Sequence, residues 1–353
     1  MSALSAASGR LPGGRLVRLT LVRSAGLVIL AALVLWILSQ LLSQYNNLQL
    51  ATGAYYFAAL AGLTVLIGQS GQISLGHGAF MALGAYTVLL LVGSEGWALL
   101  PAILAAVGVS AVVGLPVGAA ASRLRGPYLA GATLAFAVGL PAIADKYPTT
   151  FGGENGLTIN PPSVPAWMGS GVSLEQWQAW IACAGALVVL FVLYNVMHSG
   201  IGRSLRAVRD DEIAASLCGL RVGRRQTLAF VVSAGCAGLG GAMYAVVLNL
   251  ATPSAFPLTL SLSLLTGVVV GGLGSLWGAV WGAALLVLLP NWSTDIAHSL
   301  SLSSNVQGNL PFAIYGLVLI VLMLVWPTGI QGGVSAFGRW LHHRWTVSRS
   351  SNP

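Results

Sequence analysis

The chain has 353 residues, of which 56% are hydrophobic and only 7% charged, with a net charge of +8. Soluble domains carry roughly a quarter charged residues, so this composition excludes a soluble globular fold and indicates an all-α polytopic membrane protein. The basic residues sit between apolar runs rather than along one face, which argues against a nucleic-acid partner.

Residues 1–24 form a polar tail carrying Arg10, Arg15, Arg18 and Arg23, followed by a first apolar run over 25–42. A signal peptide shares such a basic start, but no small-x-small cleavage site follows directly, and an uncleaved first span is expected. Further apolar runs occupy 48–68, 75–94, 98–119, 126–144, 176–197, 227–249, 258–273, 275–290 and 310–327. That makes about ten transmembrane helices in a membrane domain over 25–330, the shorter ones tilted or partial. With the N-terminus inside, fifteen of the sixteen basic residues fall on one side and only Lys146 on the other. This asymmetry predicts that both termini, including the tail 331–353, are cytoplasmic. The boundaries at 68–75 and 271–275 carry no charge, so either could be a re-entrant or broken helix. The longest outside loop, 145–175, is rich in proline and glycine and is expected to be ordered at most as turns and a short helix. It reads equally as a plain connector or as a docking surface for an external partner.

One polar stretch stands out, 199–226, SGIGRSLRAVRDDEIAASLCGLRVGRRQ, within a cytoplasmic loop over 198–226. It holds Arg203, Arg206, Arg209, Arg221, Arg224 and Arg225 beside Asp210, Asp211 and Glu212. Leu205, Val208, Ile213, Leu217 and Leu220 recur at three- and four-residue spacing, which predicts short surface helices with one apolar edge. Asp210 or Asp211 can cap the second helix and Gly219 can close it. A loop that only fixes topology accounts for the arginines. It does not account for a helical apolar edge, which suits docking into a protein groove.

Within the membrane, IGQSGQISLGHGAF (67–80) gathers Gln69, Ser70, Gln72, Ser74 and His77 among glycines. Polar side chains at membrane depth are costly unless paired or facing water, so Gln69, Gln72, Ser74 and His77 are pathway candidates. The competing reading is an ordinary interfacial turn. His77 has no partner at metal-ligand spacing, so no metal site is assigned. The run 267–282 spaces Gly267 and Gly271, then Gly274, Gly278 and Gly282, by four residues, as close helix packing requires. It follows no strand and does not bind a dinucleotide. The only lysine, Lys146, sits in ADKYP, so the chain has no Walker A loop and any ATPase must be another chain. His198, His298, His342 and His343 lie at span edges or in the tail and form no hydrolytic constellation; the chain is not expected to be an enzyme. Cys183 and Cys236 fall in spans and Cys218 in the polar loop, so no disulfide framework exists.

The polar loop resembles the coupling loop of ABC importer permeases, whose EAA-x3-G signature matches Glu212, Ala214, Ala215 and Gly219, with Ile213 inserted. The blocks GQISLGHGAFMALGAYT (71–87), RGPYLAGATLAFA (125–137), FGGENGL (151–157) and GGLGSLWGAVWGA (271–283) are similar to the LivM-type permeases of the LivH/LivM family. These blocks span about residues 50–290 in family order. The resemblance implies an ABC importer permease bundle translocating branched-chain amino acids across the cytoplasmic membrane of a prokaryote. It implies a LivH-like second permease, two cytoplasmic ABC ATPase subunits holding ATP and Mg, and an extracytoplasmic substrate-binding protein as partners, with no cofactor on this chain. It further implies that Leu205, Arg206, Asp211, Glu212, Ala214, Ala215 and Gly219 carry the ATPase contact. Urea and short-amide permeases share this membrane design and are the alternative. A self-contained secondary transporter, with His77 as proton relay, fits less well, since no carboxylate or basic residue lies deep in a span.

Overall fold

The computed structural model describes residues 13–124, 127–165, 168, 171–299, 313–314, 316–317, 320–321, 324–325 and 329–336. Nearly all of it is helix, because a chain in hydrocarbon must satisfy its backbone within each segment. The long helices are α1 (Gly13–Leu41), α2 (Gln44–Ser70), α3 (His77–Gly93), α4 (Leu99–Ala121) and α5 (Pro127–Lys146), followed by the single turn α6 (Pro148–Phe151). Then come α7 (Leu174–His198), α8 (Gly200–Asp210), α9 (Glu212–Leu217), α10 (Val222–Leu248), α11 (Leu258–Gly271) and α12 (Leu276–Ser299). Among the described residues, eight helices are long and apolar enough to span a membrane, and α3 is a shorter apolar helix. These account for nine of the ten apolar runs; the tenth, 310–327, lies largely outside the described residues.

Two helices form the core. Most of α2 and α10 is buried, and α10 packs against α2, α3, α4 and α7. A helix that is apolar all round belongs inside such a bundle. Small residues let it close. An added Cβ on Gly84 of α3 would collide with the Gly238 carbonyl of α10, and one on Gly241 with the Met81 carbonyl. These two helices therefore touch backbone to backbone. Helix α1 sits outside the core, with Ile29 and Leu30 exposed, and its main neighbour is α7. Polar contacts hold it there: Trp180 Nε1 donates to Ser39 Oγ (2.7 Å), Gln176 Nε2 to Gln40 Oε1 (3.0 Å) and Asn195 Nδ2 to Ser24 Oγ (3.1 Å).

One end of the bundle carries α8 and α9 and is the basic end. The opposite end carries a feature that the sequence reading did not anticipate. Within the proline- and glycine-rich loop, β1 (Leu157–Thr158) pairs antiparallel with β2 (Leu250–Ala251), with Leu157 opposite Ala251 and Thr158 opposite Leu250. The expectation of turns and a short helix alone is thus corrected. The pairing needs Gly156, at φ +71°, because a side chain there would run into the Ala251 carbonyl. Phe151 of α6 meets Tyr86 of α3 edge-on at 5.3 Å, which seats the loop on the bundle.

The two uncharged boundaries differ. Residues 272–275 form a turn between α11 and α12 at the basic end, with Gly272 (φ +123°) and Gly274 (φ +79°) making the bend. Residues 71–76 are a non-helical strap. Helix α2 ends at Gly71 (φ +73°), and α3 does not start until His77, which meets Ser233 of α10. Ser233 is eleven residues into α10, about 17 Å along its axis at 1.5 Å per residue. Helix α3 therefore begins deep in the bundle, and the strap crosses the distance from the basic end.

Candidate functional site

The polar loop folds as two helices set at the basic end. Ser199 caps α8 by accepting from the Ile201 N–H (3.1 Å). Asp211, in extended backbone, ends α8 and caps α9 by accepting from the Ile213 (2.8 Å) and Ala214 (3.0 Å) N–H groups. Gly219 closes α9 at φ +81°. Its N–H reaches the Ser216 carbonyl (2.9 Å), and the Leu220 N–H reaches that of Ala215 (3.1 Å). This is the paired bond pattern of a Schellman stop. Glu212 Oε1 accepts from Gln226 Nε2 (2.7 Å), which ties α9 to the first turns of α10.

The apolar stripe does not form one face. Leu205 and Val208 are 1% exposed and point into the bundle, with Ala215 also buried. Ile213 and Leu217, one turn apart on α9, are 72% and 83% exposed. Ala214 and Cys218 are exposed beside them. The loop is thus seated by α8 and presents an apolar knob on α9, and Arg203, Arg221 and Arg224 of the same loop are exposed.

Arg206 turns inward. Its Nη1 donates to Gln69 Oε1 (2.9 Å) and to the Met197 carbonyl (3.1 Å). Gln69 Nε2 in turn donates to the Gly274 carbonyl (3.3 Å) in the α11–α12 turn. Arg209 donates to the Gly68 carbonyl and pairs with exposed Asp210 at 2.8 Å. Gly68 and Gly274 are in backbone contact, so a side chain on Gly68 has no room. Gly274 thus serves a turn against α2, whereas Gly267, Gly271, Gly278 and Gly282 line the tight α11–α12 contact.

Gln69, Gln72, Ser74 and His77 are all buried, but Gln69 and His77 bond to different partners. Gln69 belongs with the polar loop. Gln72 and Ser74 lie on the strap, and Ser74 Oγ accepts from the Gly76 N–H (3.3 Å). His77 Nε2 is 2.7 Å from Ser233 Oγ, and its Nδ1 has no partner. The strap and the first turn of α3 are held by distant helices: the Leu75 N–H donates to Thr133 Oγ1 of α5 (3.0 Å) and the Gly78 N–H to Ser261 Oγ of α11 (3.0 Å). Thr133, Ser233, Ser261, Arg209 and Gly68 were not among the sequence candidates. Thr133 and Ser233 were detectable in principle, as isolated polar residues inside apolar runs, whereas Ser261 lies between Thr259 and Ser263 and does not stand out. An apolar cavity of about 320 Å³ opens between α4 and α5, lined by Pro116, Val117, Leu129 and Phe136 and touching Thr133.

Residues 44–326 match the model of the branched-chain amino acid transport system permease-component family. The chain is 31% identical over 287 residues to the high-affinity branched-chain amino acid transport system permease protein LivM of Salmonella typhimurium, covering 74% of this chain and 67% of that one. It is 32% identical over 288 residues to LivM of Escherichia coli, with the same coverage. To the permease protein LivH of Escherichia coli it is 25% identical over 237 residues, covering 64% and 77%. No solved structure matches the chain. A buried bundle, a basic end bearing the EAA-x3-G helix, and these matches together place the chain in the family of branched-chain amino acid transport permeases.

Proposed function

We propose that the chain is the membrane-spanning subunit of an ABC importer that moves leucine, isoleucine and valine inward, driven by separate ATPase subunits. The observation that carries this reading is α9. A helix of six residues is too short to persist alone, yet this one is capped at both ends and holds Ile213 and Leu217 out to solvent. Two large apolar residues held rigidly in water are best accounted for by a partner groove. The family match, to a permease component of a transport system, supports a chain that works with other subunits, and the naming of the LivM relatives supports the substrate.

In this reading the basic end faces the cytoplasm, where the positive-inside asymmetry puts it. Closure of the ATPase pair moves α9, and α8 moves with it. The polar strap and His77 line the route. A LivH-like permease completes the membrane unit, and an external binding protein delivers substrate to the β1–β2 end. ATP and Mg are held by the ATPase subunits.

The test is uptake of labelled leucine into vesicles carrying the chain with its candidate partners, with isoleucine, valine and urea as competitors. ATP-dependent uptake blocked by isoleucine and valine is the expected result. Block by urea alone would change the substrate and keep the architecture. Uptake that persists without ATP or without the ATPase subunits would overturn the proposal.

A further inference from the structure

Arg206 and Gln69 are read from the sequence as parts of two different things, a docking loop and a membrane route. In the fold they are hydrogen-bonded to each other (2.9 Å). Arg206 is half-buried and its Nη1 is directed to this chain's own groups, Gln69 Oε1 and the Met197 carbonyl. Arg209 beside it donates to the Gly68 carbonyl, and its Cγ packs 3.0 Å from where a side chain on Gly71 would begin. Two arginines of α8 therefore grip the last turn of α2 from the side.

That turn is where α2 stops. Gly71 at φ +73° breaks the helix, the strap 71–76 follows, and six residues later His77 opens α3 against Ser233. The same turn is tied across to the α11–α12 turn by Gln69 Nε2 on the Gly274 carbonyl and by the Gly68–Gly274 contact. Leu205 and Val208 already seat α8 by burial, so the arginines are not needed to hold the loop on the bundle. Each instead directs a charged donor to one end of a broken helix.

We infer that Arg206, Arg209 and Gln69 are positioning residues that transmit displacement of α8 to the strap and so to the buried start of α3. This rests on the importer reading above. Ile213 and Leu217 receive the push, and the Arg206–Gln69 bond passes it on. Arg206 thus acts within this chain and not at the ATPase surface.

The experiment uses the reconstituted complex and reads leucine uptake and ATP hydrolysis on the same vesicles. Gln69→Glu and Gln69→Leu both lose the donor to Gly274, but only the glutamate keeps an acceptor for Arg206. Gln69→Leu is expected to lower uptake per ATP hydrolysed about tenfold, the scale of one lost coupling interaction, whereas Gln69→Glu stays within about threefold of wild type. Arg206→Ala repeats the Gln69→Leu result from the half-exposed side of the bond, with ATPase co-purification unchanged. The double variant Gln69→Leu/Arg206→Ala is no worse than either single one. Equal behaviour of the two Gln69 variants, multiplying losses in the double variant, or loss of bound ATPase in Arg206→Ala would each overturn the linkage. Wild-type vesicles without ATP-dependent uptake would refute the importer reading itself, which separates the two failures.

Discussion

Truncating Leu217 to alanine separates docking from folding. The side chain is 83% exposed on α9, so its loss removes almost nothing from the folded chain, within about 0.5 kcal/mol for a surface site. A partner groove that covers it gains about 0.8 kcal/mol per buried carbon, so truncation removes about 2 kcal/mol of contact, or about thirtyfold in Kd. Ile213→Ala, at 72% exposure on the same face, has a similar effect. Leu205→Ala is the contrast. At 1% exposure it leaves a cavity under α8 and costs about 2–5 kcal/mol of stability. The assay is anisotropy of a labelled ATPase subunit titrated with the purified chain in nanodiscs, with thermal unfolding of the same samples. A Kd for Leu217→Ala within about threefold of wild type refutes docking through this face. A fall in Tm matching that of Leu205→Ala refutes the inward–outward division of the stripe.

Gly219 has no atom within 4 Å of an added Cβ, so size is not what fixes it; its φ of +81° is. Uptake should fall in the order glycine, asparagine, alanine, valine, since asparagine tolerates the left-handed region and alanine there costs about 1–2 kcal/mol; equal activity of the valine variant would refute this. Gly241→Ala drives a methyl into the Met81 carbonyl at the α3–α10 contact and should cost about 3 kcal/mol or more, read as a loss of Tm, whereas Gly108→Ala, with open space at its Cβ, should leave Tm unchanged. Cys218 is exposed on the polar loop while Cys183 and Cys236 are buried. A membrane-impermeant maleimide should label Cys218 in inverted vesicles only, and bound ATPase should protect it. Labelling in right-side-out vesicles would reverse the assigned orientation.

The spans were legible because hydrocarbon imposes one rule on all of them: about twenty apolar residues with their backbone bonded internally. The caps of α9 were legible for a local reason, since Asp211 and Gly219 act within a few residues of themselves. The direction of the apolar stripe was not. Its spacing runs from Leu205 to Leu220, but Asp211 sits in extended backbone (φ −158°, ψ 109°) between the two helices. One extended residue resets the helical phase, so periodicity carried across it says nothing about which side faces in. That is why Leu205 and Val208 point to the core while Ile213 and Leu217 point out. The β1–β2 pair escaped for another reason. Two strands of two residues, about ninety positions apart, leave no alternation to read.

The polar residues of the strap raise an energetic question that the fold answers. Backbone and side-chain polar groups at membrane depth must find partners. Here they come from three separate helices: Thr133 on α5, Ser233 on α10 and Ser261 on α11. Beyond local bonds such as that of Ser74 with the Gly76 N–H, the end of the strap and the first turn of α3 are fixed by these helices, so their conformation holds only while the helices keep their present places. Each bond contributes about 1 kcal/mol, and together they amount to a few kcal/mol. A gap of that size is large enough to keep one arrangement dominant and small enough for a partner's differential binding to reverse. An element built from interior hydrophobic packing would be too costly to move, since cores deform poorly. Hydrogen bonds borrowed from α5, α10 and α11 make the start of α3 the place where, on the proposed importer reading, relative helix movement and the state of the route change together.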